Sequence, residues 1–472
     1  MSMISEALPL PSLFYCGSSK SYYRAEARGR WIAFNENSAL KFIRLSGHTG
    51  RGTSGVDAAD ECLLRVQSDQ NVDYVGPLAG YRAGAHEIHG RLVLVTDSPV
   101  VITPVPGQWN TIGPLLEGMF GSQLPYVYGW LKLAYQSIAE GRWSPAQVFV
   151  MAGPVNSGKS LFQRIVTEIL GGRAAKPYKF LTDRTQFNGD VFGAEHLMVE
   201  DEAESIDIRA RRHFGAGIKA LAVNQDHQCH AKYREGLVLT PRWRMTISLN
   251  DEPERLQVLP PLDSDVADKV MFLKVNCSTM PMPTDTPDQK AAFWAVIKHE
   301  LPAFLEFLQG WNIPPALVSP RFGIGHYHHP ELLESLGRSA PENRLLALTD
   351  QVVFRRQLPL QGNQAWEGTA EDLERVLSEE DSLRRQLQQL LTFSSACGTY
   401  LGRLANQSST RVVSRKRNGR TWWTIQPPPA EGAAPDFGNS LMRNTMPPLE
   451  PLKETANSPL CRQSGWGGGA SF

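Results

Sequence analysis

Ten residues constrain this chain more than any others: "MAGPVNSGKS", Met151 to Ser160. Gly153, Gly158, Lys159 and Ser160 satisfy the spacing Gly-x-x-x-x-Gly-Lys-[Ser/Thr] in full. With average composition, a chance match in a chain this long is on the order of 1–2%. The flanks agree with the motif. "AQVFV" before it predicts a buried strand, "LFQRIVTEIL" after it predicts an amphipathic helix, and Gly171-Gly172 predicts the helix stop. A strand that turns through glycines into a helix leaves backbone N–H groups facing one point, and the helix N-terminus adds positive potential there. That is a cradle for phosphates. Its members are Gly153, Pro154, Val155, Asn156, Ser157, Gly158, Lys159 and Ser160. Lys159 is placed to reach β- and γ-phosphates, and Ser160 to hold Mg²⁺.

Spending a bound nucleotide needs carboxylates as well. The apolar run Leu197-Met198-Val199 ends in Glu200, Asp201 and Glu202. A carboxylate at a strand tip beside the loop can complete the Mg²⁺ shell, and a second can orient or deprotonate the attacking water. Glu200 and Asp201 are the candidates, with Glu202 the alternative for the second role. The competing reading is a solvated acidic turn. A further apolar run, Met245 to Leu249, ends in Asn250. Its amide suits a γ-phosphate or a water, although an asparagine before Asp251-Glu252-Pro253 can equally cap a turn. Strands ending in polar residues at one edge predict a parallel α/β sheet with its site at the carboxyl ends.

Lys+Arg and Asp+Glu both total 48, so composition alone does not mark the chain as a polyanion binder. The six cysteines form no CxxC pair, and no apolar run reaches the ~18 residues of a membrane span. The expectation is a cytoplasmic protein without membrane contact.

The rest of the chain divides by pattern. Residues 1–110 are mixed α/β. "RWIAFNENSALKFIRLSG" predicts a strand and then a helix, and "RLVLVTDSPVVITPVPG" predicts two β-rich runs. Asp57, Asp60 and Glu61 cluster there but fit a solvated loop. A helix carrying Val127, Trp130, Leu131, Ala134 and Ile138 opens the region 111–280. Residues 281–345 look like a helical connector, with His326, His328 and His329 in a loop before a helix starting at Pro330. Residues 346–426 predict helices, one opening at a capping-box-like Thr369 and Asp372, then a hairpin around Asn418-Gly419. The order suggests a winged-helix module. Its hairpin is basic, with Arg411, Arg415, Lys416, Arg417 and Arg420. Trp422 and Trp423 lie in the same hairpin, and one or the other suits packing into the core. DNA contact through Arg415, Lys416, Arg417 and Arg420 competes with a merely solvated hairpin. From residue 427 to 472 the chain is rich in Pro, Gly, Ser and Asn and is expected to be disordered.

The loop Gly153–Ser160, the acidic strand end Glu200-Asp201, the segment "IKALAVNQDHQCHAKYREGLVLTPRW" and the strand ending in Asn250 come in that order. The arrangement resembles the motifs A, B, B′ and C of the superfamily 3 helicases. It is most like those of the primase-helicase proteins of phages, plasmids and mobile elements. The resemblance implies an AAA+-like ATPase core that uses ATP and Mg²⁺. It implies a homo-oligomeric ring, usually a hexamer, moving 3′ to 5′ on single-stranded DNA. Single-stranded and forked DNA are the implied partners, with replication proteins beside them. It gives the middle segment a loop that grips DNA, with Lys219 at its start and His230, Lys232, Tyr233 and Arg234 near its tip. Cations meeting phosphates and Tyr233 stacking on a base suit that task. His227, Cys229 and His230 could instead bind zinc, but three candidates within four residues do not easily surround one ion, and Cys229 and His230 also read as ordinary loop residues. The resemblance also implies a cationic finger downstream of motif C. Lys269 stands near that place, with Arg244 and Arg255 as alternatives. No hydrophobic-Asp-hydrophobic-Asp pattern or cysteine set accompanies it, so priming is not carried over. Two rival readings stay open. One is a ring ATPase that does not unwind, such as an initiator-loader or a defence NTPase. The other is a DNA-binding module whose nucleotide site is only structural.

Overall fold

The computed structural model describes residues 10–26, 29–200, 208–230, 236–260, 262, 265–354, 364–406, 411–417 and 419–428. The chain forms two compact units, divided between Ala340 and Pro341.

The first unit opens with a small antiparallel sheet, β1 (Phe14–Cys16), β2 (Ser21–Ala25) and β3 (Trp31–Phe34), joined by α1 (Glu36–Leu45) and α2 (Ala58–Asp69). Asn35 and Asp57 cap these helices through side-chain oxygens, and Ile43 and Val66 bury their inner faces. A second sheet follows, with β4 (Tyr74–Gly76) and β5 (Gly84–Ile88) on either side of β6 (Arg91–Val95). The second β-rich run of this region, Val100 to Val105, is not a strand. Pro99, Pro104 and Pro106 remove ladder donors. The remaining amides dock singly, Val100 N–H on the Gly171 carbonyl and Val105 N–H on the Pro302 carbonyl.

The centre of the unit is a five-stranded sheet with every pairing parallel. Its strands are β7 (Val148–Ala152), β8 (Ala174–Ala175), β9 (His196–Val199), β12 (Arg244–Leu249) and β13 (Val270–Lys274), with β10 (His227–Cys229) and β11 (Leu237–Leu239) between β9 and β12 in sequence. The spatial order is β13-β7-β12-β9-β8. Phe149 and Met151 of β7 point to one face, where α3 (Ile112–Phe120), α4 (Leu124–Ala139), α5 (Lys159–Ile169) and α9 (Pro287–Gly310) cover them. Val148, Val150 and Ala152 point to the other face. There they meet α6 (Tyr178–Leu181), α7 (Ile208–Val223), α8 (Pro253–Leu256), β11, the second N-terminal sheet and α10 (Pro330–Ser339). Burial on both faces explains why the central strands read as continuous apolar runs.

One expectation changes here. Residues 281–345 are not a connector, because Phe293, Ile297, Leu301, Phe304 and Leu308 of α9 are buried in the main core. In the N-terminal region, Tyr74, Leu78, Val93 and Val95 share a core with the central sheet. Buried Glu195 fastens that seam. It accepts from Gly80 N–H at 2.7 Å and from the Arg173 guanidinium.

The second unit holds α11 (Pro341–Thr349), α12 (Ala370–Ser378), α13 (Arg384–Leu390) and α14 (Ala396–Asn406). A three-stranded antiparallel sheet closes it, with β16 (Arg420–Ile425) between β14 (Trp366–Gly368) and β15 (Val412–Arg417). The Thr369 capping box forms, with Asp372 reaching back to the Thr369 N–H. Trp423 and Ile425 enter the core, and Gly419 turns the hairpin at φ +75°. Asn418 and almost all of the expected disordered tail lie outside the described residues.

Candidate functional site

The strand registers bring the sequence candidates to one edge. Leu249 pairs with Ala152, and Lys274 pairs with Ala152 on the other side. Ile247 pairs with Val199. The loop after β7, Asn250 after β12 and Glu200 after β9 therefore emerge together at the carboxyl end of the sheet. Gly153 N–H donates to the Leu249 carbonyl at 3.3 Å, so the loop starts against the strand that delivers Asn250.

The loop's conformation requires its residue types. Gly158 has φ +90° and Asn156 has φ +64°, both left-handed. Gly153 is needed for another reason: a Cβ there would lie 2.2 Å from the Val275 carbonyl oxygen. Its glycine serves the approach of β13 to β7. Pro154, Val155, Asn156 and Ser160 are exposed, whereas Ser157 and Lys159 are buried. The Lys159 ammonium donates to the Gly153 carbonyl at 2.7 Å, the Pro154 carbonyl at 2.6 Å and Ser157 Oγ at 3.3 Å. The amine sits inside the loop with the loop's own oxygens around it. α5 starts immediately after Gly158 with no side-chain cap. Its first-turn N–H groups thus face the loop without a capping oxygen, which suits an anion.

Glu200 forms an ion pair with Lys176, which follows β8. Asp201 lies outside the described residues, as do Lys232, Tyr233 and Arg234. The segment that carries the latter three is a hairpin at its base. His227 pairs with Leu239, Gln228 with Val238 and Cys229 with Leu237. Asn188 holds the exit from β10: its Oδ1 accepts the His230 N–H at 2.6 Å, and its amide donates to the Gln228 carbonyl at 2.9 Å. On the other side, Thr240 and His89 both contact Asp226. Lys219 lies on α7, not on the hairpin, and pairs with Asp265 at 3.1 Å.

The finger candidates separate. Lys269 is buried in a turn just before β13 and pairs with Asp268 at 2.7 Å. Because β13 runs parallel to β7, Lys269 lies at the opposite edge of the sheet from the loop of its own chain. Arg244 starts β12 at that same far edge. It is fully buried, and burial lowers its guanidinium to about 10. Arg255 follows Asn250 in a short helix, so it alone of the three stands at the loop's edge.

Beneath the loop lies a polar network that the sequence did not announce. Gln163 of α5, His196 of β9 and Thr246 of β12 are each fully buried. The Gln163 amide donates to Thr246 Oγ1 at 2.9 Å and to the Val199 carbonyl at 3.3 Å. His196 Nε2 meets Thr246 Oγ1 at 2.8 Å, and Nδ1 meets Thr167 Oγ1 at 2.7 Å. Thr167 Oγ1 donates to the Gln163 carbonyl at 3.0 Å. One direction satisfies every link: amide to Thr246, Thr246 to Nε2, Nδ1–H to Thr167, Thr167 back to the Gln163 backbone. It needs a neutral imidazole, and burial lowers His196 to about 3. The network ties the lysine-bearing helix to both polar-tipped strands. A lone glutamine on a helix and a lone histidine in an apolar run carry no sequence signal for it.

The cluster His326, His328 and His329 is structural. His328 is buried against β13, with Nε2 at 3.1 Å from the Ala267 and Val270 carbonyls. Among the described residues no three His, Cys, Asp or Glu side chains are grouped to hold a metal, and no helix is long and apolar enough to cross a membrane.

On the exposed hairpin of the second unit, Arg415 pairs with Glu367 at 2.7 Å and the Arg417 guanidinium lies over Trp422 at 5.3 Å. Arg411 is bound differently, in a two-pronged contact with Asp350 at 3.1 and 2.6 Å.

The sheet, loop and helix define a parallel α/β core of the P-loop type. No protein-family model and no curated protein matches the chain. Solved structures do share its fold. The apo structure of the NrS-1 C-terminal region (305–718) aligns with a TM-score of 0.53 at 12% identity, covering 88% of this chain and 96% of that one. An A-form apo structure of the same region gives 0.51 at 10% identity over the same shares of the two chains. The SCCmec type IV Cch active helicase aligns at only 0.27 and 10% identity, over 84% of this chain and 73% of that one, which does not show a shared fold.

Proposed function

We propose that this chain is an ATP-driven DNA helicase of the superfamily 3 type, working as a homo-oligomeric, hexameric ring on single-stranded and forked DNA. One observation carries the reading: Gly153–Ser160, Glu200 and Asn250 meet at one sheet edge, and the strands bearing Glu200 and Asn250 are joined through an antiparallel hairpin. The uncapped start of α5 and the enclosed Lys159 fit a polyphosphate. When ATP binds, Lys159 leaves its carbonyl partners for the β- and γ-phosphates, while the first-turn N–H groups hold the remaining oxygens. Ser160 and Glu200 would hold Mg²⁺, which neutralises phosphate charge. Asp201 orients or deprotonates the attacking water, and Asn250 positions that water or the γ-phosphate. The hairpin's Lys232, Tyr233 and Arg234, with His230 at its base, grip the strand, and Lys219 supports its approach.

The second unit supports the reading as a winged-helix-like DNA-binding module whose β15–β16 hairpin is the wing. Replication of a phage, plasmid or mobile element, with replication proteins as partners, is the setting that suits such a motor. The finger completing a neighbour's site is a cation of this chain. Lys269 is the first candidate for that role and Arg255 its rival.

ATP hydrolysis with and without single-stranded DNA, together with displacement of a strand from a forked duplex, tests the proposal. DNA-stimulated hydrolysis with displacement supports it. Hydrolysis without displacement replaces it with a non-unwinding ring ATPase. Absence of hydrolysis leaves a DNA-binding module with a structural nucleotide site.

A further inference from the structure

The register of the second unit's sheet sorts its hairpin into two unlike faces. Arg415 pairs with Trp422 and Arg417 with Arg420, so these four side chains and Val413 share one face. Val412 and Ser414 share the other with the core residues Trp423 and Ile425, and alternation puts Lys416 on that side as well. The first face is turned to solvent: Arg415, Arg417 and Arg420 are exposed, Val413 is 54% exposed and Trp422 is half-buried. Among the described residues, Arg417 and Arg420 have no carboxylate within ion-pair distance. Arg417 lies over the Trp422 ring.

The helix next to the hairpin offers much less, and the exposed Arg384 and Arg385 belong to α13. α14, which precedes the hairpin, carries one cation, Arg403, and that arginine faces Glu342 at 3.4 Å. The side chains it exposes fully are Thr399 and Asn406. A helix that reads duplex DNA needs Arg, Asn or Gln side chains reaching base edges from its first turns, and cations for flanking phosphates. The first turns of α14, Ala396-Cys397-Gly398-Thr399-Tyr400, supply neither.

We infer that this unit binds single-stranded nucleic acid without sequence preference. It does so through the sheet face of Arg415, Arg417, Arg420 and Trp422, not through α14. Arginines spaced along a strand meet successive phosphates, and an indole beside them stacks on any base. This assignment adds Trp422 to the contact and removes Lys416 from it. It rests on the DNA-binding part of the proposed function and is independent of the motor.

The experiment uses the full chain carrying Lys159→Ala, so that hydrolysis plays no part. Binding to fluorescent oligo(dT), a mixed-sequence single strand and a duplex of that sequence is measured by anisotropy over a salt series. The inference expects similar affinity for the two single strands and weaker binding to the duplex. Trp422→Ala is expected to weaken oligo(dT) binding about fivefold or more. Arg417→Ala with Arg420→Ala should do the same and flatten the salt dependence, while Lys416→Ala changes binding less than about twofold. Trp422→Phe keeps a stacking ring and should restore most of the affinity, which a folding defect would not allow. Stronger binding to the duplex than to the single strands, or equal losses from Lys416→Ala and Trp422→Ala, overturns the inference and leaves the motor untouched. Loss of DNA-stimulated hydrolysis in the chain with Lys159 intact, with oligo(dT) binding retained, overturns the motor and leaves this inference standing.

Discussion

The side-chain amide of Gln163, on the helix that carries Lys159, donates to Thr246 Oγ1 at 2.9 Å, on the strand that ends at Asn250. The same amide reaches the Val199 carbonyl, one residue before Glu200. One buried group thus links the elements that carry Lys159, Glu200 and Asn250. Gln163→Met keeps the volume and removes the donor. The expected result is a fall in kcat of about ten- to a hundredfold, because small displacements of reacting groups cost that much. Nucleotide affinity, read with a fluorescent analogue, should change less than about twofold. A matched loss of kcat and affinity would show that the glutamine only stabilises the loop.

Lys176 occupies the Glu200 carboxylate. The pair is half-exposed, so its worth is about 0.2–1 kcal/mol, or up to about a fivefold population effect. Lys176→Ala should raise basal hydrolysis within that range and leave KM unchanged. The single-turnover rate is the measurement. A fall in that rate would mean that Lys176 assists the chemistry.

Gly153→Ala places a methyl 2.2 Å from the Val275 carbonyl oxygen. That oxygen is hard to move, since the Val275 N–H is held by the Ala152 carbonyl at 2.8 Å. Overpacking of this kind costs about 1–3 kcal/mol. The variant should melt at lower temperature and lose nucleotide affinity together, whereas Lys159→Ala should lose affinity or hydrolysis with little change in Tm.

Acid should weaken the first unit. His196 and His328 are buried neutral, lowered to about 3 and about 4 by desolvation. The unfolded chain binds protons at these histidines near pH 6.5 and the folded chain does not. Their contribution is complete above about pH 6.5 and is lost as the pH falls toward 3–4, at up to about 1.4 kcal/mol per pH unit for each histidine. Urea midpoints between pH 8 and 5 should show a decline that begins near 6.5 and is shallower in His196→Gln. An identical slope in that variant would contradict the assignment.

What could be read from the sequence follows from range. The loop, its strand and its helix are contiguous, so Gly153 to Ser160 carried their own geometry in the spacing of the glycines and in the apolar pattern around them. The acidic and amide strand tips were visible because apolar runs ended abruptly at Glu200 and Asn250. The hairpin around Gly419 was visible because turn chemistry is local. Contacts between distant segments were not. The sequence pattern does not encode that Gln163 meets Thr246, that α9 belongs to the main core, or that Lys176 pairs with Glu200. The proline-broken run from Val100 to Val105 misled because β-branched residues signal strands even where ladder donors are missing. Which edge of the sheet Lys269 occupies was not legible either: the parallel course of β13 puts it at the edge opposite its own loop. Only topology decides that.

Strand displacement from a forked duplex by the intact chain and by Lys159→Ala, with ATP hydrolysis followed in the same reactions, tests the central claim most directly. The account predicts displacement and DNA-stimulated hydrolysis by the intact chain, and neither by the variant. Displacement by Lys159→Ala at the rate of the intact chain would contradict it.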